Sequence, residues 1–252
     1  MTHAYPLFTS LLLIWAIAGV AASFVLPRIP APYGRFVRPG WGPQIQPRLA
    51  WFLMESPGLW IFAVLFLSSL PCPPVPVLFA VLWMGHYLYR GFLYPALIRS
   101  TRAVPIAVVV MAFGFHLATA GLQTWEIYRL KPDRPVAWLW DPRFLIGLAL
   151  FAWGFAGAVR ADATLRALRP TRGAQYGLPR GGLFERVSCP HYFSEIVEWT
   201  GWAILTWTWA GLVFALWTAA NLVPRALAVH RSYRAQFPDY PANRKALLPY
   251  IL

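Results

Sequence analysis

Three groups of side chains could do chemistry, and all lie within or beside long apolar runs. Glu55 stands in Trp51-Phe52-Leu53-Met54-Glu55-Ser56-Pro57, with no basic residue nearby in sequence. A carboxyl held in apolar surroundings can stay neutral and donate a hydrogen bond. The structural alternative is a carboxylate near a helix start, stabilised by the helix dipole, and Pro57 suits such a first turn. His86, Tyr87, Arg90 and Tyr94 form a second group. Spacings of three, four and seven put Tyr87, Arg90 and Tyr94 on one helical face. Arg90 and Tyr94 fit a snorkelling cation and an interfacial aromatic, whereas Tyr87 sits deeper. In the third group His191, Glu195 and Glu198 recur at four and three residues. Two carboxylates and an imidazole on one apolar face point to a polar ligand. Dipole pairing in a first turn opened by Pro190 is the alternative. Without a further ligand cluster, metal binding has little support.

A fourth region is the basic stretch 160–190, with Gly181-Gly182, together with the C-terminal tail. Paired glycines allow close backbone approach to a ligand, and arginine forks suit phosphate. Neither G-x-G-x-x-G nor G-x-x-x-x-G-K-[ST] occurs in the chain, so the motifs of a Rossmann or P-loop site are missing.

The elements that must position these groups are membrane spans. Of 252 residues 58% are hydrophobic and 12% charged, against about 25% charge in soluble domains. Apolar runs fall at about 7–26, 50–70, 75–94, 103–123, 143–160 and 194–230. The last is too long for one crossing of roughly 20 residues. The net charge of +13 sits between the runs; it reads as topology and anionic headgroups rather than nucleic-acid binding. Segments 27–49, 95–102, 160–186 and the tail are basic, while 124–142 is balanced. The positive-inside rule places the basic segments in the cytoplasm. Both 160–193 and the tail then lie inside, so 194–230 crosses twice, turning near Trp207–Gly211.

The expectation is a single all-α membrane domain over 1–252. It has seven transmembrane helices, at about 7–26, 50–70, 75–94, 103–123, 143–160, 194–208 and 210–230, with the N-terminus outside and the C-terminus cytoplasmic. The first run lacks a preceding Lys or Arg and is too long for a signal h-region. Cys72 and Cys189 fall on opposite sides, so no disulfide framework is expected. The excess of Arg over Lys leans toward a bacterial inner membrane rather than endoplasmic reticulum. Membrane lipids are expected around the chain, and no obligate protein partner is evident.

Several blocks, in order along the chain, carry a resemblance. They are Ala50-Trp51-Phe52-Leu53-Met54-Glu55, His86-Tyr87 with Arg90, Asp141-Pro142-Arg143-Phe144, Gly181-Gly182-Leu183-Phe184, Tyr192 to Gly201, and His230 to Leu252, which includes Phe237-Pro238-Asp239-Tyr240-Pro241. On these blocks the chain resembles the steroid 5-alpha-reductase family over about Ala50 to Leu252. The resemblance implies a seven-helix reductase using NADPH from the cytoplasmic side and a 3-oxo-Δ4 steroid entering from the lipid. By the same resemblance Glu55 and Tyr87 hold the substrate carbonyl. Asp162, Arg169, Tyr176, Glu195, Arg225 and Tyr233 belong to the cofactor site, with His191 beside them. Tyr94, Arg99, Arg102 and Arg166 fall on its phosphate or ribose side. The chain departs from the family pattern at His191 (usually Asn), Ser194 (often Gly) and Ala158 (where Asn is expected), which touches cofactor affinity more than reaction type.

The chemistry implied is hydride addition to the β-carbon of an enone, with the carbonyl oxygen held by two donors. The alternatives are reduction of another lipid enone, such as a sterol or an enoyl-CoA, and an S-adenosylmethionine-dependent isoprenylcysteine-type methyltransferase. A transporter or lipid-binding protein would line a path across the membrane, whereas these polar groups gather toward the cytoplasmic half.

Overall fold

The computed structural model describes residues 4–99, 102–168 and 177–252. Its helices are α1 (Ala4–Val25), α2 (Pro47–Leu67), α3 (Pro74–Leu88), α4 (Tyr94–Leu97), α5 (Ile106–Trp125), α6 (Pro142–Ala167), α7 (Pro190–Thr206) and α8 (Trp209–Gln236). A π-helical stretch, Tyr89–Leu93, joins α3 to α4 into one rod, and a second, Glu126–Leu130, prolongs α5. The described residues therefore form seven helical rods, in the order expected. Five of them, α1, α2, α5 with its extension, α6 and α8, are long and apolar enough to cross a membrane. The chain is an integral membrane protein by this measure.

Local sequence explains where the helices start. Pro opens α2, α6 and α7, where its missing N–H costs nothing. The Asp141 carboxylate accepts from the Arg143 backbone N–H (2.9 Å) ahead of α6, and Thr208 accepts from Gly211 N–H (3.1 Å) ahead of α8. Between α7 and α8 the chain reverses at Trp207, held in the left-handed region at φ 49°. The long apolar run thus does fold back on itself, within the Trp207–Gly211 stretch where the turn is expected.

Two of the boundaries that differ from the sequence reading bear on the site. Helix α6 runs on to Ala167 and α8 to Gln236, past the points where apolarity ends. Arg, Ala and Leu are good helix formers, so charge ends the apolar run without ending the helix. Asp162 and Arg166 therefore sit on α6 rather than in a loop.

Glycine sets the closest packing. A Cβ on Gly154 of α6 would lie 2.5 Å from Glu198 N and 2.5 Å from Ser194 O of α7. One on Gly147 would lie 2.5 Å from Leu205 N, and one on Gly201 would lie 2.5 Å from Phe151 N. Small residues let membrane helices approach backbone to backbone. Beside this seam, Phe62, Phe79, Trp83, Trp199, Trp202 and Phe214 fill a shared aromatic core.

At the end opposite the basic loops, the balanced charges are used locally. Glu126, buried, accepts from Trp209 N (3.1 Å) and Ala210 N (2.7 Å) at the start of α8 and pairs with Lys131 at 2.7 Å. Asp141 holds Arg143 through both carboxylate oxygens, at 2.9 and 2.7 Å. At the basic end, the tail docks on the segment before α7, with Ser188 N bonded to Lys245 O and Lys245 N to Arg186 O. A two-residue antiparallel ladder, β1 (Gln44–Ile45) with β2 (Val104–Pro105), ties together the approaches to α2 and α5. With an isolated parallel bridge between Val187 and Lys245, it is the β-pairing among the described residues of an otherwise helical chain. Cys72 and Cys189 are both free thiols, as expected.

Candidate active site

Glu55 sits midway along α2, one turn before Gly58. Gly58 is needed there, because a Cβ would lie 2.5 Å from the Tyr87 ring. Tyr87, from α3, fills that notch and is almost fully buried. Its ring meets His116 of α5 edge-on, with centroids 5.1 Å apart, and packs on Trp83 at 5.1 Å. Three helices thus converge on the pair chosen from sequence.

The π-helical stretch aims Arg90 into the same place. Its Nη2 lies 3.5 Å from Glu55 Oε1, and its Nη1 donates to Asp162 Oδ2 of α6 at 3.3 Å. The guanidinium also lies over the rings of Tyr94 (4.9 Å) and Trp51 (5.4 Å). Gly91 makes the approach possible, since a Cβ there would come within 3.0 Å of the Ser56 backbone. π-Bulges recur at functional sites because they re-aim side chains within a helix. On the other flank, His116 Nε2 lies 3.7 Å from Glu55 Oε2.

These contacts correct two sequence readings. Glu55 is neither isolated among apolar residues nor a first-turn carboxylate; it lies mid-helix with a guanidinium and an imidazole beside it. Arg90 does not snorkel to the interface but turns inward, 15% exposed, between two carboxylates.

A second buried pair adjoins the first. His86 Nδ1 and Glu198 Oε1 lie 2.6 Å apart, and Glu198 is fully buried. Dipole pairing in a first turn does not describe Glu198, which lies two turns into α7 against the α6 glycine seam. Glu198 Oε2 and Ser194 Oγ, one turn apart, are buried with no hydrogen-bond partner among the described residues. Such orphaned polar atoms point to a ligand or water not present in the structure. Glu195 and His191 lie on the same helix, partly buried.

The remaining predicted residues separate into two places. Tyr94, Asp162 and Arg166 border the Glu55 cluster. Tyr94 packs on Trp51 at 5.2 Å, and Arg166 donates to Tyr89 OH at 3.3 Å. Arg102 and Arg99 are exposed at the basic end. Arg225 and Tyr233, on α8, lie apart from Glu55. The Arg225 Nε donates to Tyr192 OH (2.8 Å), its Nη1 to Ala31 O (3.4 Å) and its Nη2 to Tyr33 O (3.1 Å). Its guanidinium stacks 3.7 Å over the Tyr33 ring. Arg225 therefore straps segment 31–33 onto α7 and α8. Tyr233 is buried beneath Arg35, whose guanidinium lies 4.5 Å over its ring. Gly34, at φ +63°, carries the turn between Tyr33 and Arg35. Arg169 and Tyr176 lie outside the described residues. Below this strap, Cys189 is fully buried, which pushes its thiol up to about 12 and keeps it protonated.

Sequence reasoning missed His116 altogether and Arg90 in part. His116 is a lone imidazole in an apolar run, with no charged neighbour in sequence to mark it. An ionisable group at membrane depth is itself the signal that could have found it.

The model of the 3-oxo-5-alpha-steroid 4-dehydrogenase family matches residues 102–252. The chain belongs to this family. Steroid 5-alpha-reductase DET2 of Gossypium hirsutum is 45% identical over 257 residues, covering 100% of both chains. The DET2 protein of Arabidopsis thaliana is 40% identical over 253 residues, 97% of this chain and 96% of that one. The 3-oxo-5-alpha-steroid 4-dehydrogenase 1 of Rattus norvegicus is 35% identical over 240 residues, 90% of this chain and 88% of that one. Membership of the 3-oxo-5-alpha-steroid 4-dehydrogenase family makes the chain an oxidoreductase, which sets aside the methyltransferase alternative.

Proposed function

We propose that the chain reduces the Δ4 double bond of a 3-oxo-Δ4 steroid with NADPH, giving the 5α-dihydro product. The observation that carries this is the convergence of Glu55 and Tyr87 within one buried site, in a chain of this family. When bound, the cofactor supplies the hydride. Asp162, Arg166, Tyr94 and Glu195 around the Arg90 cluster would hold it, with His191, Arg102, Tyr233 and the Arg225 strap toward the basic end. Arg169 and Tyr176 are assigned to the same site by resemblance alone.

The protein's own task is at the substrate oxygen. An enone accepts hydride at its β-carbon only as negative charge moves to the carbonyl oxygen. The Tyr87 hydroxyl donates to that oxygen, and Glu55 donates when it carries a proton. One preorganised donor in a water-excluded site is worth about 2.7–4 kcal/mol of barrier. Arg90 balances charge on Glu55, and the Gly58 notch holds Tyr87 in place. The surrounding Trp83 and Trp199 exclude water, which strengthens both contacts.

The proposal extends to topology: seven spans, N-terminus outside, C-terminus in the cytoplasm. The basic residues of 27–49, Arg99, Arg102 and the tail lie at one end of the rods, and the balanced 124–142 at the other, which supports it. Arginine-rich composition leans toward a bacterial inner membrane, whereas the relatives named above come from plants and mammals.

Glu55→Gln and Tyr87→Phe test the site. Each should lower kcat by about a hundredfold or more while leaving the thermal unfolding of purified protein close to wild type. Near-normal turnover of 3-oxo-Δ4 steroid in both variants would overturn the assignment.

A further inference from the structure

A cavity of about 510 Å³ opens between α1 and the C-terminal end of α2, with α5 as its floor. Leu11 and Ile14 of α1, Leu65 of α2, and Leu117 and Gly121 of α5 line it. Its volume lies within the range of about 300–1,000 Å³ usual for ligand pockets. None of the residues placed in the candidate active site lines it. The space exists because α1 rests on α5 and α8 rather than on α2. Phe8 and Leu12 pack with Leu122 and Ala210, and Tyr5 OH donates to Leu130 O at 3.0 Å. Helices α1 and α5 run antiparallel, with Phe8 against Trp125 and Trp15 against Phe115. From Leu117 to Arg129 the floor extends about 18 Å at ~1.5 Å per residue. That is a little over half of the roughly 30 Å hydrocarbon core, so the groove serves one leaflet, at the end opposite the basic loops.

Two donors on this groove lack partners among the described residues. Arg129, exposed at its outer end, makes no ion pair or hydrogen bond there. The nearest acid in sequence, Glu126, is taken by Lys131 and by the backbone at the start of α8. Trp15 Nε1 is buried and unpartnered, whereas Nε1 of the stacked Trp217 donates to Trp15 O at 2.8 Å. A buried donor left unmade is costly, and a phenyl ring would pack on Phe115 and Trp217 without that cost. The Cβ bonds of a helix tilt toward its N-terminus, so in these antiparallel helices Trp15 and Arg129 tilt toward each other along the groove. Ser68 and Ser69 both donate to Leu65 O at 2.8 Å, so neither hydroxyl competes for an acceptor in the groove.

We infer that this groove binds a diacyl glycerophospholipid of that leaflet. One acyl chain lies along α5, the phosphate meets Arg129, and an ester carbonyl accepts from Trp15 Nε1. The apolar walls suit the chain, and a guanidinium fork suits phosphate oxygens. In a glycerophospholipid the ester carbonyls lie a few bonds below the phosphate, on the side from which Trp15 tilts upward. A steroid would fill the apolar volume but offers no anion to Arg129. The inference is independent of the proposed reduction.

Delipidated protein in detergent, titrated with dioleoyl phosphatidylglycerol, tests it by native mass spectrometry and thermal unfolding. Wild type should retain one lipid per chain, and its Tm should rise with lipid concentration. Arg129→Gln alters an exposed side chain and should weaken retention about tenfold, or ~1.4 kcal/mol. Trp15→Phe keeps the stacked ring and should weaken it about fivefold. Gly121→Leu fills the groove. Nothing lies within 4 Å of the would-be Cβ of Gly121, so this variant should unfold like lipid-free wild type and show neither retention nor the rise in Tm. Dioleoylglycerol has the same chains and esters but no phosphate, and should bind wild type about tenfold more weakly than the phospholipid. Wild-type retention in Arg129→Gln or Gly121→Leu, or equal retention of dioleoylglycerol, would overturn the inference. Displacement of the phospholipid by equimolar testosterone would also overturn it, and would make the groove a steroid site.

Discussion

Gly154→Ala probes the seam that holds Glu198 in place. The added Cβ would lie 2.5 Å from two backbone atoms of α7, Glu198 N and Ser194 O. Ordinary contacts begin near 3.4 Å, so α7 must retreat by about 1 Å; no flexible side chain can absorb the overlap. Overpacking of this kind costs roughly 1–3 kcal/mol. For a chain of this size that lowers Tm by about 2–4 °C per kcal/mol. The retreat also draws Glu198 from His86, now 2.6 Å away. A displacement of about 1 Å at a site can cost ~10²-fold in rate. Gly114→Ala is the internal control. It too is a helical glycine, but nothing lies within 4 Å of its would-be Cβ, so alanine should stabilise by about 1 kcal/mol or less. Thermal unfolding of both purified variants in detergent, with turnover measured alongside, gives the comparison. If Gly154→Ala unfolds no earlier than Gly114→Ala, the close α6–α7 seam is not what holds this side of the site.

Two further variants test other parts of the account. Asp141→Asn keeps the cap of α6 but not the charge pair with Arg143. The hydrogen bonds from Arg143 hold the Asp141 carboxyl down at about 2, against an ordinary 3.8. A depressed folded value means the stabilisation is present above the ordinary value and fades as pH falls through the folded one. The stability gap between wild type and Asp141→Asn should therefore be constant near neutrality and vanish toward pH ~2. A gap that persists there would mean the charge pair is not its source. Arg225→Lys cannot reach Tyr192, Ala31 and Tyr33 together. Trypsin cleavage within segment 27–46 should quicken about tenfold, equivalent to ~1.4 kcal/mol of lost strapping, and NADPH should bind more weakly. Unchanged cleavage would show that the segment is held by other contacts.

Much of the fold was legible because hydropathy and charge act over whole segments. The order of the seven rods and the reversal within 194–230 followed from run length and from which loops are basic. Glu55 and Tyr87 were legible because each is a polar residue where an apolar one would be easier to insert. What the sequence could not show was which distant residues meet. Arg90 reads as an interfacial cation from its place near a run's end, and only the π-helical stretch and Gly91 turn it toward Glu55. His116 and Glu198 find their partners on α2 and α3; spacing marks Glu198 with His191 and Glu195 but does not pair it with His86, and nothing local marks His116. The ends of α6 and α8 were missed because the helix outlasts the apolar stretch. Arg225, assigned to the cofactor by resemblance, is held by three protein acceptors whose identities depend on how segment 31–33 folds back.

The central claim is hydride delivery to the β-carbon of an enone whose oxygen is held by Glu55 and Tyr87. NADPH deuterated at the transferable position, incubated with purified protein and testosterone or progesterone in ordinary water, tests it most directly. The account predicts a product heavier by one deuterium and one hydrogen, with the deuterium on the β-carbon, and its loss in Glu55→Gln. Deuterium on the α-carbon, or a reduced product carrying none, would contradict it.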